Sequence, residues 1–371
     1  MKTILTTQQI INTYDEHQQE QCKLYGMYKD LKRQNPEFGY KRISKLLDQP
    51  YGKTRWWHAG KYTPFPVSTV EWLKEKGFLP LEEDNVKLTL IAKVLGCTFG
   101  DGGIFGNLNA IFLSSSELEA VKEFGEDLKI LFGNEIDENS RIIEGGEYGH
   151  SWCYQNTNRN VIRFFQALGA PIGDKSFTDL IVPDWIKESR EGIQNEFFGS
   201  IFGNELGVPK IHISKTHLDT LSLGLTATEK FAENRKQFLG DVAAYLNKKE
   251  IATGSISIND HKHVNRKGEP TKIYNLLFSV TFENVVNFMT MTKINYCKYK
   301  MEKLGKTMNE FAEIKRQRYN DLEKMGYEES AILKLLNLNE AIWFVISNYE
   351  DFSKIYEVEL GENLITAGIE V

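Results

Sequence analysis

Cysteine is scarce in this chain of 371 residues: there are four, at positions 22, 97, 153 and 297. None has a partner at short spacing. That excludes a zinc ribbon and a disulfide scaffold, and it leads us to expect a reduced, cytoplasmic setting. Long apolar runs are also missing. The longest near the C-terminus, Ala341–Ile346, has six residues, whereas a bilayer span needs about 20. The first ten residues, MKTILTTQQI, carry one Lys and no extended apolar core, so they do not read as a secretory signal. No membrane partner is expected. Excess positive charge is absent too. The net charge of −6 argues mildly against nucleic acid as a partner, so charge must be read segment by segment.

Residues 1–80 hold 13 Lys and Arg against 8 Asp and Glu. The pattern Tyr40–Leu47 puts Ile43, Leu46 and Leu47 on one helical face. Asp48-Gln-Pro-Tyr-Gly52 breaks it. A second short helix is expected over Lys53–Ala59 and a third over Val67–Lys76. Helix, turn and basic helix read as a helix-turn-helix over 1–86, with Lys41, Arg42, Lys53, Arg55 and Lys61 meeting DNA phosphates and bases. The plainer reading is a small helical bundle with a solvated basic face. The acidic run Leu81–Asn85 is expected to be a linker.

From 87 to 305 the chain repeats itself. Asn160-Val-Ile-Arg-Phe-Phe165 recurs as Asn284-Val-Val-Asn-Phe-Met289. The first copy follows strand-like runs 141–144 and 150–155, and the second follows 251–259 and 271–282. A long helix is expected before each pair (117–132 and 228–248). The predicted fold is α+β, with two αββαββα halves (87–190 and 191–305) related by a pseudo-twofold axis. The region 306–371 is expected to be a helical appendage, with 328–347 as a possible second helix-turn-helix.

Each half opens on a glycine-bearing helix that ends in an acid. In the first, Gly96 and Gly100 share a face and Asp101 follows. In the second, Ser200, Asn204 and Glu205 take those places, 104 residues after Asp101 in the case of the acid. Glycine costs a helix about 1 kcal/mol against Ala, and close approach of another helix backbone is the usual reason for it. Side-by-side packing would bring Asp101 and Glu205 together as hard oxygen ligands for Mg²⁺. A metal pair there would activate water and stabilise a leaving oxygen.

Leu95-Gly-Cys-Thr-Phe-Gly-Asp-Gly102 and Phe197-Phe-Gly-Ser-Ile-Phe-Gly-Asn-Glu205 resemble the two motifs of the LAGLIDADG homing endonucleases. Leu168–Lys175 and Ile181–Ile186 resemble the segment that precedes the second motif in that family. The resemblance implies a monomeric endonuclease that cuts double-stranded DNA, with two four-stranded sheets forming a DNA-binding saddle. It implies two or three Mg²⁺ ions shared between Asp101 and Glu205. It carries the family's active-site lysine onto Lys175, with Lys300 or Lys298 as its second-half counterpart. It departs from the family at Asn204, which would widen the helix contact, and at Leu206, which would alter how Glu205 turns. Met at the start and Glu-Val at the end lead us to expect a free-standing enzyme without an intein. A non-catalytic DNA-binding regulator and an RNA-splicing maturase on the same scaffold are the alternative readings.

Further basic residues lie at Lys262, Arg266, Lys267 and Lys272. They read as a positive hairpin tip along a phosphate backbone, or more plainly as a soluble turn. His261 and His263 share a strand face without a third ligand. His212 and His217 show no ligand spacing.

Overall fold

The computed structural model describes residues 2–145, 150–265 and 267–357. Strand β1 (Thr3–Leu5) leads into helix α1 (Thr7–Asn12). Thr6 and Gln9 cap that helix reciprocally, each side chain bonding to the other's backbone. Helix α2 (Glu16–Gln34) starts at Asp15, whose carboxylate accepts from Gln18 N–H at 2.8 Å. Helices α3 (Tyr40–Leu46) and α4 (Tyr51–His58) are joined by a turn with Asp48 at φ 49°. Helix α5 (Phe65–Glu75) has Pro66 in its first turn, where a missing N–H costs nothing. Tyr25, Tyr28, Ile43, Leu47 and Trp57 form a small core of their own.

The rest of the N-terminal region does not stand apart. Leu5, Ile10, Val70, Leu73, Phe78 and Leu81 belong to the main core. Strand β2 (Leu81–Glu82) pairs with β1, so the run expected to be a linker is anchored at its first residue. The fully buried Leu81 outweighs the acids that follow it.

Then come α6 (Leu88–Cys97), β3 (Gly102–Ile104), β4 (Ile111–Ser115), α7 (Leu118–Phe132), β5 (Ser140–Gly145), β6 (Ser151–Asn156) and α8 (Arg159–Ala167). A short helix α9 (Asp184–Lys187) precedes α10 (Glu191–Glu205), β7 (Leu206–Gly207), β8 (Leu221–Thr228), α11 (Ala232–Asn247), β9 (Thr253–Val264), β10 (Pro270–Phe278) and α12 (Phe282–Met291). Two antiparallel four-stranded sheets result, each with its strands in the order first, second, fourth, third. Along β8, Leu221, Leu223 and Leu225 are buried and the residues between them are more open, and β10 does the same with Tyr274, Leu276 and Phe278. That period of two marks sheets with one covered face. Helix α7 covers the first sheet, with Phe124 edge-on to Tyr154 at 5.8 Å, and α11 packs on the second.

Helix α13 (Lys298–Lys324) is continuous, so the boundary expected at 305/306 falls inside it. Gly305 sits there because a Cβ would lie 2.4 Å from Ser353 Cα. Helix α14 (Glu329–Leu336) ends at Asn337 in the left-handed region, and Asn339 caps α15 (Glu340–Asn348). Residues 358–371 of the expected appendage lie outside the described residues, as does Gly146 in the first hairpin. Among the described residues no single helix is long and apolar enough to cross a membrane.

The separate small core predicts a local effect. Trp57→Ala removes its largest ring, a cost of about 3–5 kcal/mol for a buried aromatic. Amide exchange should accelerate across α2–α4 and stay unchanged in α6 and α10. Equal acceleration throughout would show that the small core and the main core unfold together.

Candidate active site

Helices α6 and α10 are apolar because they are buried on nearly every side. They touch through small residues. A Cβ on Gly96 would sit 2.2 Å from Phe197 O and 2.9 Å from Ser200 Cβ, and one on Gly100 would sit 2.4 Å from Asn204 Cβ. The expected facing pairs, Gly96 with Ser200 and Gly100 with Asn204, are therefore present. Polar side chains of α10 also bond to the α6 backbone. Ser200 Oγ donates to Lys93 O at 2.7 Å, and Asn204 Nδ2 donates to Cys97 O at 3.4 Å. Asn204 does not hold the helices apart as expected. It satisfies a carbonyl at the open end of α6 instead.

The other face of α10 explains its own glycines. The segment Lys293–Asn295 crosses it so closely that a Cβ on Gly203 would lie 1.7 Å from Asn295 O. Asn295 Nδ2 bonds to Glu196 O at 3.0 Å and Ser200 Oγ at 3.2 Å.

Both acids leave these helices at the same end. Asp101 comes four residues after Cys97 and just before β3, and Glu205 is the last residue of α10. Leu206 does not divert Glu205. It is buried, has an ordinary φ of −72°, and pairs with Leu223 as Gly102 pairs with Leu113. Gly102 is required for a different reason: a Cβ there would lie 2.8 Å from Cys97 O and from Phe112 O.

Two lysines close the site. Lys175, in a turn capped by Asp174, donates from Nζ to the carbonyls of Gly100 and Gly102. Lys300 Nζ donates to Asn204 O at 2.6 Å. Each lysine thus binds carbonyl groups beside one acid, where the negative end of a helix dipole points. Lys298, the other second-half candidate, is exposed and lies 3.8 Å from Glu302. Glu117 fixes the start of α13, accepting from Cys297 Sγ at 3.1 Å and from Tyr299 N–H at 3.3 Å.

Burial, and then the charge of Asp101, push the Glu205 carboxyl up to about 7 against the pull of Lys175, Lys300 and Arg235. Burial also raises Asp101, opposed by Lys175 and Lys300, and it lowers both lysines. Asp101 is nonetheless exposed and Glu205 partly open, so both carboxylates remain within reach of solvent. Among the described residues neither carboxylate has a hydrogen-bond or ion-pair partner at contact distance. Two unsatisfied hard-oxygen donors with mutual repulsion fit a divalent cation such as Mg²⁺.

Sequence reading missed Arg235. It lies on α11 with its side chain fully buried. Its Nη2 donates to Lys175 O at 2.7 Å and Thr178 O at 3.3 Å. Nε and Nη1 have no partner among the described residues. Burial lowers its pKa to about 10. It thus holds the Lys175 turn from the opposite sheet's helix. No local pattern in the sequence announces that contact.

Of the expected DNA-contact residues, Lys41, Arg42, Arg55 and Lys61 are exposed around α3 and α4. Lys53 is half-buried, bonds to Gln49 Oε1 at 2.8 Å, and lies over the Trp57 ring. Lys267 lies 4.3 Å from the Phe177 ring centroid, and Lys272 pairs with Glu229 at 2.8 Å. Arg266 and the Lys262 side chain lie outside the described residues. A groove of about 810 Å³ joins Lys175 to Val264 and Asn265 at the β9 end, with the stacked rings of Phe105 and Phe112 on its wall.

No family model matches the chain. Parts of it are similar to the DNA-directed RNA polymerase subunit Rpo1N of Methanocaldococcus jannaschii (29% identity over 214 residues, 54% of this chain and 16% of that protein). Parts are similar to the tRNA-splicing ligase RtcB of Pyrococcus abyssi (30% over 201 residues, 53% and 22%). A third is the replication factor C small subunit of M. jannaschii (24% over 280 residues, 74% and 14%). The chain spans less than a quarter of the length of these three relatives. Structural neighbours are homing endonucleases: I-DmoI (15% identity, TM-score 0.33, covering 54% of this chain and 87% of that one), I-WcaI bound to its DNA recognition sequence (14%, 0.34, 62% and 97%), and the LAGLIDADG enzyme I-GzeII in complex with its DNA target (10%, 0.30, 73% and 99%).

The raised Glu205 carboxyl sets a pH dependence. Its ordinary value is 4.5 and its folded value about 7. The folded chain holds a proton that the unfolded chain has released, so this contribution to stability is complete below 4.5 and gone above about 7. Cation binding runs the other way, because the ligand must be ionised. Mn²⁺ affinity by calorimetry should climb as pH rises toward and past about 7, and Glu205→Gln should flatten the climb. A wild-type affinity independent of pH would remove Glu205 from the cation site.

Proposed function

We infer that the chain is a site-specific double-strand DNA endonuclease built as two pseudo-symmetric halves, 87–190 and 191–305. The observation that carries this is the meeting of two carboxylates and two lysines at the common end of α6 and α10. Asp101 and Glu205 would hold Mg²⁺. When bound, such ions lower the pKa of a coordinated water and neutralise a scissile phosphate. The chain's own residues do the rest. Lys175 and Lys300 place positive charge beside both acids, where phosphate oxygens gain charge in the transition state. Arg235 positions Lys175 by holding its carbonyl.

The open faces of the two sheets would form the DNA-binding saddle, with alternate residues reading base edges in the groove. Helices α3 and α4 would act as a helix-turn-helix that adds a second point of attachment, raising affinity through effective concentration. A monomer suffices, because both acids come from one chain.

The pattern of relatives supports an activity independent of any one of them. The Rpo1N and RtcB matches each cover more than half of this chain, so they overlap. A polymerase subunit and a tRNA-splicing ligase have unrelated tasks. Each matches this chain over under a quarter of its own length, which fits an activity of this chain's own.

The test is cleavage of a plasmid library carrying randomised inserts, with Mg²⁺ and with EDTA. Linear product is expected only with Mg²⁺. Asp101→Asn and Glu205→Gln should each lower the rate by at least about a hundredfold while DNA binding in Ca²⁺ persists. Lys175→Met should slow cutting more than binding. Specific binding without cutting by the wild type would replace this reading with the non-catalytic regulator, and selective binding of structured RNA would replace it with the maturase.

The basic helices carry their own test. Changing Lys41, Arg42, Arg55 and Lys61 together to Gln should flatten the dependence of log K on log salt by about 0.9 for each phosphate that is no longer neutralised. The cut position should not move. These exposed positions are preferable to deletion of 1–80, which would strip Leu5, Ile10 and Leu73 from the main core. An unchanged slope would assign the basic face to something other than this DNA.

A further inference from the structure

The segment 208–220 joins β7 to β8, directly after Glu205. Its sequence offers His212, His217 and Asp219, with no helical or zinc-ribbon spacing among them. The fold supplies what the spacing lacks. Ile211 and Leu218 form an antiparallel bridge, and His212 N–H bonds to His217 O at 3.0 Å. Lys215, at φ 55°, turns the chain between them. The two imidazoles then stack, with ring centroids 4.3 Å apart and planes 18° from parallel. Asp219 lies two residues after His217 and so projects from the same side of an extended chain. Its backbone N–H is fixed to Lys210 O at 2.7 Å. One ligand atom from each of the three residues lies within 4.8 Å of the others.

Second contacts orient both rings. Ser214 Oγ lies 2.9 Å from His212 Nδ1, Thr216 Oγ1 lies 2.9 Å from His217 Nδ1, and the two hydroxyls are 2.6 Å apart. The Nδ1 edges are therefore occupied, and a ligand would be met by Nε2 in the tautomer whose proton sits on Nδ1. Outer-shell bonds of this kind fix the tautomer and orientation of metal-binding histidines. Ser214 N–H also approaches His212 Nδ1, at 3.2 Å. Ligation through His212 Nε2 therefore requires the ring proton to sit on Nδ1 and point to Ser214 Oγ, in place of the bond from Ser214 N–H. The loop is held from behind as well: Arg318 donates to Ser214 O at 3.2 Å, and Lys315 to Thr216 O at 3.5 Å.

We propose that His212, His217 and Asp219 form a second metal site, for Zn²⁺ or a similar nitrogen-seeking divalent ion, separate from the Mg²⁺ site of Asp101 and Glu205. Two imidazoles and one carboxylate select borderline transition ions, whereas two carboxylates select hard ones. Three protein ligands leave one tetrahedral position for water. The ion closes the hairpin 211–219 and so stiffens the connection that leads from Glu205 to β8.

The test uses the full chain with Zn²⁺ as the sole metal, by equilibrium dialysis and elemental analysis. The wild type should retain one Zn²⁺ that His217→Gln and His212→Ala each weaken at least about tenfold. The Asp101→Asn, Glu205→Gln double variant should retain it. Zinc should also protect the 211–219 hairpin from limited proteolysis in the wild type, and not in His217→Gln. His217 is exposed, so its variant is expected to fold, and circular dichroism checks that it does. The site is refuted if the wild type binds no Zn²⁺, if the folded His217→Gln protein binds it equally well, or if the double acid variant loses it.

Discussion

The approach of two helix backbones at Gly96 and Gly100 is the constraint on which the rest depends. A methyl group at Gly96 would meet a carbonyl oxygen of α10 at 2.2 Å, far inside contact distance, and a backbone atom cannot rotate away. The helices must then diverge, and the ends that carry Asp101 and Glu205 diverge with them. Separation would also break the bonds from Ser200 to Lys93 O and from Asn204 to Cys97 O. Each glycine weakens its helix by about 1 kcal/mol. That cost is offset by burial, since Ile91, Val94, Leu95, Phe197 and Ile201 are all fully excluded from water.

That geometry creates an electrostatic problem at its open end. Two carboxylates meet where both helix dipoles are negative, in partly desolvated surroundings. Beside them stand two half-buried lysines whose hydrogen bonds, among the described residues, go to backbone carbonyls and not to the carboxylates. Lys175 and Lys300 thereby soften the field without bonding to the carboxylates themselves. Had they paired directly with Asp101 and Glu205, the oxygens would be satisfied and a cation would find none free. Arg235 extends the arrangement one step further out, because its bond to Lys175 O keeps that turn, and hence the ammonium, beside the acids.

What was legible in the sequence was what two copies of a local pattern can reveal. The motif helices, their glycine–small-residue contact, the order of helices and strands in each half and the terminal acids all lie within short windows. The sequence left Lys300 and Lys298 as alternatives, and of the two it is Lys300 whose ammonium bonds to Asn204 O beside Glu205. Chain-distant pairing was not legible. Leu81 pairs with Leu5 at the start of the chain, and its acidic neighbours disguised that. Arg235 reaches Lys175 across 60 residues. The continuity of α13 through position 305 hid behind Gly305, which marks a packing contact with Ser353 and not a helix end. His212 and His217 looked unrelated because the bridge between Ile211 and Leu218 makes them neighbours, and a spacing of five has no meaning on a straight strand or helix.

The two four-stranded sheets share one strand order but differ in detail. Gly102 and Leu206 occupy equivalent strand positions, each pairing with the second strand of its sheet, yet only Gly102 is crowded by carbonyl oxygens on both sides. The second half has room for a leucine there and buries it. Lys175 comes from a turn between α8 and α9, whereas Lys300 comes from the first turn of a long helix whose start is anchored by Glu117. In both cases an ammonium reaches a carbonyl at the end of a motif helix. The requirement is therefore on where the charge ends up and not on the element that delivers it. Side chains whose only task is delivery are free to move along the sequence, while the glycines, fixed by a backbone contact, are not.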